Sequence, residues 1–125
     1  MAVDLEKLLI GWLASPLPDA RVCAELPATL PAKTVQITQL PGGSRPLVSF
    51  ELVRVDIDSY AQDRGTARGL ADQVDDLITK ELPGQVVAGV LIKSVEGSSA
   101  AWTPYDNTNV RRMTAMYVFE TKTLA

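Results

Sequence analysis

Histidine is absent from the 125 residues and cysteine occurs once, at Cys23. The first absence removes the commonest general base near neutral pH and the commonest zinc ligand. The second excludes an intramolecular disulfide and leaves a structural zinc site without ligands; a lone thiol in the apolar stretch Val22 to Ala24 reads as a buried structural residue, and a reducing compartment is the simplest inference. No run of Lys or Arg is present to grip a phosphate backbone: 12 basic and 15 acidic residues are dispersed along the chain and leave a net charge of −3. No apolar stretch approaches the roughly 20 residues that cross a bilayer, so a soluble protein with no membrane partner is expected. The adjacent glycines of "PGGSRP" lack the lysine and helix start of a phosphate-binding loop. "DNTN" at 106 to 109 offers oxygens without the spacing or terminal acid of a calcium loop. No cofactor and no enzymatic activity are expected.

What is present is an ordinary globular composition, 46% hydrophobic and 22% charged, at a length suited to one domain spanning 1 to 125 with one core. Val3, Leu5, Leu8, Leu9, Trp12 and Leu13 recur at helical steps, and Pro16 and Pro18 end that helix; its Asp4, Glu6 and Lys7 argue for structure and against a signal peptide. Residues 19 to 30 read either as a short helical turn or as an extended connector. "KTVQITQL", 33 to 40, alternates as a strand with one solvated face. "PGGSRP" reads as a turn or loop. The next strand runs from about 47 to 60, and its apolar phase slips between Leu52 and Val53, implying a bulge there or burial on both faces.

Residues 64 to 82 carry the clearest signal, a stripe of Ala67, Leu70, Ala71, Val74, Leu77, Ile78 and Leu82 with charged residues facing away. "QVVAGVLIKSVEG", 85 to 97, reads as a third strand. The following loop carries Trp102 and Tyr105, and a last strand runs from about 110 to 122, apolar enough on both faces to sit inside a sheet. The order α-β-β-α-β-β predicts an α+β fold: a mostly antiparallel or mixed sheet with two main helices on one face.

Candidate contact residues follow from charge and position. Arg54, Asp56 and Asp58 alternate onto one strand face, with neighbours about 6.6 Å apart. Two carboxylates at that spacing repel by about 0.6 kcal/mol in water and about 2.5 kcal/mol at an effective dielectric of about 20, which Arg54 would partly relieve. That face is simply solvated, or a subunit or channel contact, or, as the least favoured reading, a pair of carboxylates for acid and base work. Arg111 and Arg112 start the last strand and point to opposite faces, where they meet either solvent or the acidic face of a neighbouring strand or subunit. Trp102 either folds back on the core or anchors a partner. Gly42, Gly43 and Arg45 in the Gly-rich turn, with Trp102 and Tyr105, make up the loop candidates for partner contact.

Several local phrases, "LEKLLIGWLAS", an "LP" segment before the first strand, "PGGS", and above all "VRVDIDSYAQDRGTARGLADQVDDLI", resemble the tail terminator, or tail completion, proteins of long, non-contractile-tailed bacteriophages. The likeness covers most of the chain as a pattern of elements. It implies a non-enzymatic virion protein, made in the host bacterial cytoplasm, that assembles with itself as a ring, usually of six copies. Such a ring sits on the last ring of tail-tube protein at the head-proximal end, stops polymerisation and docks the head-closure or connector protein, with DNA only as cargo through the channel. The alternatives are another neck component, such as a head-closure or head-to-tail adaptor protein, and a small ligand-binding α+β domain with a pocket near Trp102 and Tyr105.

Overall fold

The computed structural model describes residues 3–44, 50–105 and 109–124. Its architecture is the α+β arrangement expected: a mixed sheet of seven strands with helices over one face. In chain order the elements are α1 (Leu5–Ala14), β1 (Arg21–Cys23), β2 (Lys33–Ser44), β3 (Glu51–Ala61), α2 (Arg64–Asp76), a π turn (Leu77–Glu81), β4 (Val86–Val87), β5 (Val90–Gly97), β6 (Ala101–Thr103) and β7 (Arg111–Thr123). The strand order is β1-β2-β3-β7-β5-β4, with β6 also on β7; β1 runs parallel to β2 and the other pairs are antiparallel.

Each helix starts where a carboxylate satisfies an orphan amide. Asp4 Oδ1 accepts from Lys7 N at 3.1 Å before α1, and Asp63 Oδ1 accepts from Thr66 N at 2.8 Å before α2. The same contact holds the Asp63 carboxyl below its ordinary value. Helix α1 buries Leu5, Leu8, Leu9 and Leu13 over β1 and β2, while α2 buries Ala67, Leu70, Ala71 and Val74 over β3 and β7. The helix from residue 64 does not remain α-helical to 82. It widens into the π turn, where Leu82 N donates to Leu77 O at 3.1 Å, and this keeps Ile78 and Leu82 on the buried side.

The spine of the sheet is the β3–β7 pair, in unbroken register from Glu51↔Thr121 to Ala61↔Arg111. Alternation then sorts the side chains. Val53, Val55 and Ile57 on β3 and Met113, Ala115, Tyr117 and Phe119 on β7 are buried under the helices. Tyr117 is anchored by its hydroxyl, which donates to Asp75 Oδ1 on α2 at 2.7 Å. Burial first, and the Asp75 carboxylate second, push that hydroxyl far above the usual tyrosine pKa.

Four sequence expectations are corrected. The slip near Leu52 and Val53 is not a bulge in β3; the irregularity lies on β2, between Leu40↔Arg54 and Ser44↔Leu52. Pro41, Gly42 and Gly43 thus oppose Val53 alone, and the glycines continue the strand where a turn was expected, because a residue without an amide hydrogen and two without Cβ atoms tolerate the broken ladder. Arg45 lies outside the described residues. Residues 85 to 97 are not one strand but a tight hairpin, β4 and β5, turning at Ala88 and Gly89, whose φ angles are 50° and 78°. Two positive φ values in a two-residue loop match the twist of a hairpin. Trp102 stands on β6, opposite Met113, and not in a loop. The undecided stretch from 19 contains an extended piece, β1.

One contact ties α1 to the outer edge of β2. Gln39 Oε1 accepts from Leu5 N at 2.8 Å, Gln39 Nε2 donates to Val3 O at 3.1 Å, and Gln39 N donates to Glu6 Oε2 at 2.8 Å. The amide of Gln39 faces away from β3, and the next outward position, Pro41, has no N–H to offer. Glu6 and Pro41 together blunt that edge against stray pairing.

Candidate assembly surface

The face of the sheet away from the helices is uncovered along its middle. Because alternation points odd-numbered β3 residues at the helices, Leu52, Arg54, Asp56 and Asp58 stand on the opposite side, flanked by β2 and β7 in regular rows. Leu40, Arg54 and Val118 form one row, Thr38, Asp56 and Met116 the next, and Gln36, Asp58 and Thr114 the third. Leu52 and Met116 keep 40% and 47% of their surface exposed, and Arg54 is exposed between them.

The two carboxylates have different surroundings. Asp58 Oδ1 accepts the Thr114 hydroxyl at 2.5 Å. Asp56 Oδ1 is sealed from solvent and has no hydrogen-bond partner among the described residues. Its carboxyl is held above the ordinary value, by loss of hydration first and by the neighbouring Asp58 charge second. The expected relief from Arg54 does not occur within the chain; the ion pairs among the described residues are Lys80–Asp76 at 3.0 Å and Lys93–Glu120 at 3.5 Å.

Arg111 and Arg112 do point to opposite faces. Arg111 reaches the helix side, 5.8 Å from the centre of the Trp102 ring, which Arg64 also covers at 4.7 Å. Trp102 is half-buried and folds back against a small cluster of Ala61, Ala67, Ala71 and Met113. Arg112 lies at the end of the open face, where its Nη2 donates to Pro104 O at 2.7 Å and its guanidinium sits 5.4 Å from the Tyr105 ring. Tyr105 in turn meets Tyr60 edge-on at 5.1 Å. The structure therefore brings Arg54, Asp56 and Asp58 together, places Arg112 and Tyr105 at one end of the same face, and separates Trp102 and Arg111 from them by the sheet. A shared Trp102 and Tyr105 pocket is not formed. Tyr105 lines a recess of about 390 Å³ with Pro27 to Ala32, Ala61, Gln62, Asn109 and Val110, and Trp102 does not.

A second surface was not foreseen in the sequence. Between α1 and the β4–β5 hairpin lies a groove of about 770 Å³ lined by Val3, Leu8, Trp12, Val87, Ala88 and Val90, with Asp4 and Lys7 on its rim. Gly11 forms part of its wall, and a Cβ there would meet nothing within 4 Å. Ala88 holds a left-handed conformation that glycine or asparagine adopts more readily, so a small apolar residue stands at a strained position in the groove wall. Val86, 55% exposed, adjoins it on β4.

Among the described residues no cluster of acidic, cysteine or histidine side chains could hold a metal ion, and no helix is long and apolar enough to cross a membrane. The chain thus presents a half-apolar, charged sheet face on one side and an apolar groove between α1 and the β4–β5 hairpin on the other. The fold is shared with a chain from the virion of a native gene transfer agent (GTA) particle, with a TM-score of 0.62 and 13% identity over 91% of this chain and 84% of that one. No family model and no curated protein sequence matches the chain.

Proposed function

We propose that this chain is a non-enzymatic structural protein of a virion, and within the virion a tail terminator. In this reading it forms a ring, of six copies as the family resemblance implies, at the head-proximal end of the tail tube. The ring ends tube polymerisation and offers the docking surface for the head connector, while DNA passes through its channel as cargo. The observation that carries the reading is the fold shared with a GTA virion chain over nearly the whole length of both. The open sheet face and the apolar groove support it, because a subunit that must meet copies of itself and two further proteins needs several unpartnered surfaces.

Asp56 and Asp58 have two possible places in such a ring, the channel wall, where like charge would repel passing phosphate, and the subunit boundary. The exposed apolar side chains of Leu52 and Met116 beside them favour the boundary, since an interface would cover them. The test of the terminator role is negative-stain imaging of the purified protein mixed with polymerising tail-tube protein from the same particle. Tubes of limited length with a ring at one end are the expected result. Tubes that grow unchecked and uncapped contradict it and favour a head-closure or adaptor role.

A further inference from the structure

We propose that the groove between α1 and the β4–β5 hairpin receives the open sheet face of a second copy of this chain, as a head-to-tail contact; this rests on the ring reading above. The two surfaces lie on opposite sides of the sheet, since α1 packs on the covered face and Arg54, Asp56 and Met116 stand on the other. A contact between two different patches on opposite sides of one molecule is heterologous, and when its rotation closes it produces a ring.

Their chemistry is complementary in kind and in spacing. On the groove, Asp4 and Lys7 lie one helical turn apart, with Cβ atoms about 5–6 Å from each other. On the sheet, Arg54 and Asp56 lie about 6.6 Å apart. Each charge has an apolar companion beside it. Val118 stands across from Arg54 and Met116 across from Asp56. On the helix, Leu8 follows Asp4 by one turn and Gly11 follows Lys7 by one turn. Setting Lys7 against Asp56 places Met116 over the empty space at Gly11, and in the same alignment Arg54 meets Asp4. Neither Lys7 nor Arg54 has a carboxylate partner among the described residues of its own chain, and the contact supplies one to each.

The test is an engineered cysteine pair, Lys7→Cys with Asp56→Cys. The sheet stands between the two positions within one chain and the native Cys23 is buried, so a bridge between positions 7 and 56 can form only between copies. The double variant is oxidised alone and in the presence of polymerising tail-tube protein, then run on a non-reducing gel beside each single variant. The expected result is a ladder of covalent multimers rising to the ring size, absent from both single variants. A ring or capped tube without the ladder overturns the contact and leaves the terminator role standing. A ladder without capping supports the contact and contradicts the terminator role.

A pair of point variants gives an independent check. Gly11→Trp fills the groove on one copy without meeting any atom of its own chain at Cβ, and Asp56→Lys spoils the sheet face on another. Each alone should lose higher assembly by at least tenfold. Mixed, they should stop at a one-to-one pair through the remaining intact surfaces; a mixture that behaves as either variant alone contradicts the head-to-tail arrangement.

Discussion

Met113 and Met116 sit three residues apart on β7, one 1% exposed under α2 and the other 47% exposed on the opposite side of the sheet. The same division runs along β3, where Val53, Val55 and Ile57 are sealed and Leu52 and Arg54 are open. The covered face is nearly all aliphatic and aromatic, and its few polar groups are matched, as with the Tyr117 hydroxyl on Asp75. The open face mixes exposed apolar side chains with an acid whose inner oxygen has no partner. Among the described residues, one side of the sheet has its apolar surface covered and the other leaves Leu52 and Met116 open, the kind of surface the proposed ring contact would use.

Substitutions on the two faces should separate them most strongly when a large side chain is removed. Leu9→Ala, in the fully buried row of α1, is expected to lower stability by about 2–5 kcal/mol, whereas Met116→Ala should change it by about 0.5 kcal/mol or less. Chemical denaturation of both variants checks this, and equal losses would erase the distinction. Gly97→Ala comes next. A Cβ at Gly97 would lie 2.6 Å from the Tyr117 ring, and the ring is held by its hydroxyl and its packing, so a loss of about 1–3 kcal/mol is expected.

Tyr117→Phe removes the bond to Asp75 with little change of shape and should lower stability by about 0.5–1.5 kcal/mol. The smallest effect belongs to the open face and has the opposite sign. Because burial and Asp58 hold Asp56 above its ordinary pKa, the folded chain binds that proton more tightly than the unfolded chain. The stability tied to this site is fully present below the unfolded value of about 3.9 and is lost as pH rises through the raised one. Asp56→Asn should therefore raise the Tm of the unassembled protein by about 1–3 °C at pH 7, and the gain should fade towards pH 4. A gain of the same size at both pH values would locate its cause elsewhere.

The parts of this division that depend on local pattern were legible in the sequence. The stripe from Ala67 to Ile78 marks α2 and the start of the π turn, and alternation sends Val53, Val55 and Ile57 one way and Arg54, Asp56 and Asp58 the other. What depends on partners distant in the chain was not. Leu52 looks like a phase change on β3 because it is an apolar side chain on the open face, while the irregularity itself sits on β2, and sequence alone does not say which strand of a pair holds the extra residues. The β4–β5 hairpin turns on Ala-Gly, a weak signal beside Asn-Gly, inside a run of valines that reads as one strand. The groove joins α1 to that hairpin across some 80 residues of chain, and its one local trace is a glycine in the middle of an amphipathic helix. Of the alternatives the sequence leaves open for Trp102, the structure shows the folded-back one, and Arg112 Nη2 donates to Pro104 O while its Nε has no partner among the described residues.

The two methionines of β7 provide the most direct measurement. Oxidative footprinting, read by mass spectrometry as methionine sulfoxide at Met113 and Met116, should be run on the free protein and on the protein bound at the ends of tail tubes. If the open face is the assembly surface, Met116 oxidises readily when free and becomes protected on assembly, while Met113 stays protected in both states. If Met116 oxidises equally fast in both, the open face is solvent in the assembled particle, and its claimed role in assembly is wrong.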